Sequence, residues 1–250
     1  KQESIAMCGI AGLFSTKPVE AIENKANLCI ADLRHRGPDE QRFYEIQSTG
    51  TFGFLAHTRL SIIDVKLGHQ PMSVGFSKIV FNGEIFNYKD LKTDLMKKNV
   101  VFLTQSDTEV LAQKLNLSEE FALKDLNGMF SFAYWNNKKL ILARDRCGIK
   151  PLFYYHDEDR GDFIFASELT PIVRLLNKTP SLSKENIASY FFFDCFPGGN
   201  TPFSDIKKLR PGHYLIWEHG KLTEGKFWDT DLLKQAPLES SETDQIENLD

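Results

Sequence analysis

Cys8 carries more potential chemistry than its thiol alone. It follows Met7, the first methionine, and opens the run Cys8-Gly9-Ile10-Ala11-Gly12. Removal of residues 1–7 would leave a terminal cysteine bearing both a thiol and an α-amine. Such an amine ionises at about 7.7–8.0, so part of it is unprotonated at neutral pH. It then takes the thiol proton directly or through one water, and nucleophile and base come from a single residue. With Met7 attached, the same nitrogen is an amide without useful basicity. A small buried thiol is the plainer reading of an isolated cysteine, and Met7 is a poor residue to precede a lipid-modified one.

Three further segments bear reactive or charged groups. Asn82-Gly83-Glu84 follows an apolar stretch. Asn-Gly is the strongest tight-turn dipeptide, but an Asn side-chain amide and an unhindered Gly N–H also make a pair of donors for a developing oxyanion. Arg59 ends another apolar stretch. A guanidinium clamps a carboxylate in bidentate fashion, or it forms a structural ion pair with Asp64 or another acid. Asp107, in Ser106-Asp107-Thr108-Glu109, stands at a helix start, where a cap is the plain role. With Glu84, it supplies the carboxylates that would receive an ammonium. One arginine and one or two acids are the minimum set for reading both ends of an amino-acid zwitterion.

These groups need a scaffold. Residues 8–14 read as a buried strand. Apolar residues at 19, 22, 26, 30 and 33 form a helical stripe, ended by the turn chemistry of Gly37-Pro38. Residues 52–63 read as a strand running into a loop, and residues 78–81 as a short strand ending at Asn82-Gly83. Helices are expected over 88–98 and 107–115, with Ser106 or Asp107 as the cap of the second. Strands at 129–135 and 139–144 meet across Asn136-Asn137, and 153–155 and 163–166 extend the sheet. Helices over 169–176 and 184–193 precede a hairpin of 213–217 with 221–227. Strands and helices mix without βαβ alternation, which points to an α+β plan of packed sheets covered by helices. Residues 229–250 hold seven Asp or Glu and read as a linker, with a helix starting near Thr243.

Composition sets the outer bounds. The 250 residues are 42% hydrophobic, enough to bury a core. The net charge of −4 leaves no excess of Lys and Arg to neutralise phosphates, which argues against a nucleic-acid partner. No run approaches the ~18 apolar residues of a membrane span. The four cysteines lack C-x-x-C spacing, and the six histidines show no metal-ligand spacing, so neither a disulfide framework nor a zinc site is expected. Reduced thiols fit a cytoplasmic protein. Cys29 and Cys147 read as packing residues, and Cys195 as buried or loop-lining.

The segments CGIAGLF (8–14), RHRGPD (34–39), HTRLSIID (57–64), NGEIFNY (82–88), SDTEV (106–110), RDRCGIKPLFY (144–154) and Ala166-Ser167-Glu168 occur in that order. Together they resemble the class II glutamine amidotransferases. HTRLSIID and DRCGIKPLFY are similar to the asparagine synthetase branch. The resemblance spans residues 8–228 and implies an α+β fold of N-terminal-nucleophile-hydrolase type, a four-layer αββα sandwich of two antiparallel sheets. It implies hydrolysis of L-glutamine to glutamate and ammonia through a thioester on Cys8. It assigns Asn82 and Gly83 to the oxyanion hole, Arg59 to the substrate carboxylate, and Glu84 and Asp107 to its ammonium. The backbone of Leu60, Ser61, Ile62 and Ile63 is assigned to the pocket wall. Residues 1–7 are then a leader or an appended remnant. No cofactor is implied within this segment. ATP and magnesium would serve a C-terminal synthetase domain, the expected partner, whose S-G-G-L-D-S loop does not occur in these 250 residues; a homodimer also fits. Two other readings stay open. One is an amidotransferase domain with a different acceptor, in polysaccharide or secondary-metabolite formation. The other is a non-catalytic glutamine-binding partner domain.

Overall fold

The computed structural model describes residues 7–61, 64, 67–176 and 178–230. Two antiparallel sheets of six strands each form the centre of the fold. The first takes the order β10-β8-β9-β1-β3-β2, from β1 (Gly9–Ser15), β2 (Glu40–Ser48), β3 (Thr51–Arg59), β8 (Phe153–Asp157), β9 (Asp162–Ala166) and β10 (Ile206–Lys208). The second takes the order β12-β11-β7-β6-β5-β4, from β4 (Met72–Val74), β5 (Ser77–Ile85), β6 (Gly128–Trp135), β7 (Leu140–Arg144), β11 (His213–Glu218) and β12 (Lys221–Lys226).

The central strands β1, β6 and β7 read as nearly continuous apolar runs because both of their faces are covered. In β1, Ile10 and Phe14 point into the core between the sheets, while Ala11 and Leu13 face outward under the helices. In β6, Ala133 and Trp135 enter the inter-sheet core, and Phe130, Phe132 and Tyr134 face the other way. The helices α1 (Ile22–Leu33) and α4 (Leu169–Leu175) close the outer face of the first sheet, with Ala26, Cys29, Leu33 and Ile172 buried there. The helices α2 (Tyr88–Met96) and α3 (Asp107–Ser118) close the outer face of the second, through Leu91, Leu95, Val110, Leu111 and Leu115. The result is the four-layer αββα sandwich.

Several sequence expectations need correction. Residues 153–155 and 163–166 do not extend the sheet of β6 and β7; as β8 and β9 they join β1 in the other sheet. The strand through 78–81 does not stop at Asn82-Gly83. It continues to Ile85 as β5, with Asn82 opposite Ser131 and Gly83 opposite Phe130. Glycine is required at 83 by close approach: a Cβ there would lie 2.1 Å from the Met129 carbonyl oxygen. Cys29 is buried as expected and Cys195 lies exposed in the loop after α5, but Cys147 is exposed rather than packed. The fifth helix, α5 (Lys184–Phe193), buries no residue and leaves Phe191 and Phe192 more than 80% exposed. The expected linker helix near Thr243 lies outside the described residues.

Candidate active site

Cys8 sits at the leading tip of β1, where three interactions fix its backbone and that of its neighbours. The Ile10 N–H donates to Ser167 Oγ (3.0 Å), and the Ser167 N–H donates to the Ile10 carbonyl (2.9 Å). The Arg36 Nε–H donates to the Cys8 carbonyl (3.1 Å), while Arg36 Nη1 is held by Glu168 at 3.1 Å. The Ala166-Ser167-Glu168 element thus anchors the strand that follows Cys8 directly through Ser167 and indirectly through Glu168 and Arg36. The Cys8 sulfur lies 3.4 Å from the Leu60 N–H, which donates to it. Burial pushes the thiol above its usual value; the Leu60 contact and the charges of Arg59, Lys150 and Arg36 act the other way.

Arg59 ends β3 as a 4% exposed side chain. Its Nη2 donates to the main-chain carbonyl of Asp64 (2.8 Å), and Nη1 lies 3.6 Å from Glu40 Oε2. The ion pair is therefore with Glu40, and Asp64 contributes through its backbone. The Asp64 carboxylate serves elsewhere: it accepts from the Gln105 N–H at 2.9 Å and so ties this loop to the approach of α3. Asp39 in turn accepts from the Ser61 N–H at 2.8 Å. These bonds join the HTRLSIID, RHRGPD and SDTEV segments into one wall.

Ser106 caps α3, accepting from the Thr108 N–H at 3.1 Å, which leaves Asp107 as the first helical residue. Asp107 is 4% exposed, and its Oδ2 accepts from the Ile85 N–H at 3.1 Å. Burial pushes its carboxyl up to about 6, with the Glu84 charge adding to the rise and N–H donors from Ile85 and Thr108 opposing it. Among the described residues, no cation pairs with this carboxylate.

Cys8, Arg59, Leu60, Asn82, Gly83, Glu84 and Asp107 line one cavity of about 360 Å³, within the ~300–1,000 Å³ of small-molecule sites. Asn82 is 1% exposed, and its Nδ2 finds no hydrogen-bond partner among the described residues. A buried amide donor left unpaired is costly unless something else fills the site. Ser61 is outside this lining, tied to Asp39, and Ile62 and Ile63 lie outside the described residues. A hollow of about 440 Å³ opens at the opposite end of β1 beside Ser15 and Arg160, but Arg160 is already paired with Asp162 there. Among the described residues, no three His, Cys, Asp or Glu side chains are placed to hold a metal ion.

Gln70, outside every quoted motif, and Lys150, inside RDRCGIKPLFY, also line the cavity. Gln70 Oε1 accepts from the Phe81 N–H at 2.6 Å, bracing β5 one residue before Asn82. The Arg144 side chain is satisfied by the carbonyls of Lys150 (2.7 Å), Leu209 (2.8 Å) and Gly148.

An αββα sandwich with a cysteine at the tip of a central strand, in a cavity shared with an amide donor, an arginine and two carboxylates, has the layout of a glutamine amidotransferase domain. The chain belongs to the glutamine amidotransferase domain family, whose model matches residues 7–228. It is 38% identical to asparagine synthetase [glutamine-hydrolyzing] 1 of Bacillus subtilis, over 87% of this chain and 34% of that one. It is 37% identical to asparagine synthetase B [glutamine-hydrolyzing] of Escherichia coli, over 94% of this chain and 40% of that one. The chain thus spans less than half the length of these relatives. Among solved structures, the glutamine phosphoribosylpyrophosphate amidotransferase of B. subtilis shares the fold with a TM-score of 0.63, at 20% identity over 88% of this chain and 49% of that one.

Proposed function

We propose that this chain, trimmed to begin at Cys8, hydrolyses L-glutamine to glutamate and ammonia. The observation that carries the reading is the unpaired, buried Asn82 amide in the cavity that Cys8 shares. The freed α-amine takes the thiol proton as the sulfur attacks the side-chain amide carbon. Asn82 Nδ2–H and the Gly83 N–H receive the oxyanion. As the C–N bond breaks, the amine returns its proton to the leaving nitrogen, and ammonia departs from a Cys8 thioester. Water then adds to the thioester by the same route, releasing glutamate and restoring the thiol. Arg59 binds the substrate carboxylate, and Glu84 and Asp107 bind its ammonium.

In the whole protein, the ammonia would serve ATP-dependent amidation of aspartate to asparagine in a C-terminal synthetase domain, where ATP and magnesium would act. The names of the relatives and their greater length support this. The bare face of α5, with Phe191, Phe192 and Phe193 all exposed, also suits a surface covered by a further part of a longer chain. A cytoplasmic location suits the exposed free thiols of Cys147 and Cys195.

The test compares the chain starting at Cys8 with its Cys8→Ala variant for glutamate release. Equal rates would overturn the proposal. Intact mass of the cellular protein should show Cys8 as its first residue, and glutamine with aspartate and ATP should yield asparagine from the full-length enzyme.

A further inference from the structure

Lys150 has no part in the reaction as written, yet the fold takes trouble to place it. Its loop is shaped from both sides. The carboxylate of Asp145, itself fully buried, accepts from the N–H groups of Cys147, Ile149 and Lys150 (3.0 Å each) and from Phe130 (3.2 Å). Arg144 Nε donates to the Lys150 carbonyl. Both charged neighbours in the chain are thereby committed to backbone, and the Lys150 side chain enters the Cys8 cavity at 7% exposure. Among the described residues, the only hydrogen-bond partner of Nζ is Met7 Sδ at 3.2 Å. A thioether is a weak acceptor, and a buried ammonium so poorly matched is expensive to keep. Met7 is also the residue whose removal exposes the Cys8 amine.

We propose that Lys150 is a positioning residue for the mature nucleophile. Once Met7 leaves, its fixed positive charge beside the new chain end disfavours a second cation there, so the amine stays free to accept the thiol proton. The inference rests on the glutaminase reading of Cys8 and adds the group that sets the protonation of that residue. A like charge nearby disfavours an ammonium and an opposite charge favours it. Arg36, from the α1–β2 connection, and Arg59, from β3, act in the same sense as Lys150. Glu84 from β5 and Asp107 from α3, which line the same cavity, and Asp145 at the head of the loop act against it, and Glu168 is occupied by Arg36. The Lys150 charge is felt by the Cys8 thiol already with Met7 attached.

The experiment uses the chain beginning at Cys8, as wild type, Lys150→Met and Lys150→Arg. The acid limb of kcat/KM for glutamine reports the amine. Alkylation of Cys8 by iodoacetamide without glutamine, followed on its own peptide because Cys147 and Cys195 are exposed, reports the thiol. Lys150→Met should move the acid limb to higher pH by about one unit and slow alkylation at pH 7 several-fold. Lys150→Arg, which keeps the charge, should leave both near wild type. An unmoved limb and unchanged alkylation in Lys150→Met would overturn the proposal, as would a shift in Lys150→Arg equal to that in Lys150→Met. Should Lys150→Met lose the fold, Lys150→Gln carries the same comparison. If no form hydrolyses glutamine, the glutaminase reading fails, and the alkylation arm still decides the role of Lys150.

Discussion

His57 and Phe81 join the two sheets at the floor of the cavity: the His57 Nε2–H donates to the Phe81 carbonyl over 3.1 Å. His57 belongs to β3 and Phe81 to β5, and Asn82 is the next residue along β5. Asn82 is thus referenced to the strand that also carries Arg59. Gln70 holds the N–H of the same Phe81, so residue 81 is gripped at both of its backbone polar groups.

The His57 contact has a stability signature. Burial pushes this imidazole down to about 4, from an ordinary value of 6.5. Between those values the unfolded chain binds a proton that the folded chain refuses, so stability falls as pH drops from 6.5 toward 4. His57→Gln removes the titration. Urea unfolding across pH should show the wild type losing up to about 3 kcal/mol relative to the variant over that window. Parallel stability curves would contradict a neutral, buried His57.

Asn82→Ala should lower kcat by about 10²–10³, or ~2.7–4 kcal/mol of barrier, with KM little changed. That split marks a donor used in the transition state rather than in ground-state binding. Steady-state kinetics on the chain starting at Cys8 supplies the measurement, and a kcat within tenfold of wild type would count against the oxyanion role.

Asp107 links binding and stability with opposite signs. Its carboxyl, ordinarily at 3.8, sits at about 6 in the empty site. The folded state therefore holds a proton more tightly than the unfolded state, and the stability this contributes is full below pH 3.8 and lost as pH rises through about 6. Asp107→Asn should raise the stability of the ligand-free protein at pH 7 by up to about 3 kcal/mol, a gain that vanishes near pH 4. The same variant should bind glutamine more weakly, and the wild-type KM should climb as pH falls below about 6. A variant that gains stability without losing affinity would remove Asp107 from the ammonium site.

The residues with distinctive chemistry were legible in the sequence, while those that act through distant partners were not. Cys8, Asn82, Gly83, Arg59, Glu84 and Asp107 could be singled out by type and by neighbouring motif, and they meet in one cavity. Gln70 could not, because its partner is the Phe81 N–H, and Lys150, though it stands inside RDRCGIKPLFY, makes its contact with Met7, 143 residues away. The strand through Asn82-Gly83 was cut short because Asn-Gly is a turn signal in isolation; the Met129 carbonyl, which leaves no room for a Cβ, makes the glycine a packing requirement instead. The strand β2 escaped notice because it lies at a sheet edge with Ile46 as its only buried residue. Cys147 reads as packing because it stands where an apolar residue is common in the resembled family, yet Asp145 draws the loop's N–H groups inward and leaves that thiol exposed.

The strand β1 carries one more implication. All seven of its residues are buried, and it is flanked by β3 along its whole length and by β9 over Ala11 to Phe14. The first residues of a polypeptide are ordinarily where a fold frays. Trimmed at Cys8, this chain would instead begin at its least yielding place, with the amides of Ile10 to Leu13 among the last to exchange with solvent. An enzyme that uses its own terminus as a tool would in this way hold that terminus still without a lid, a clamp or a bound substrate.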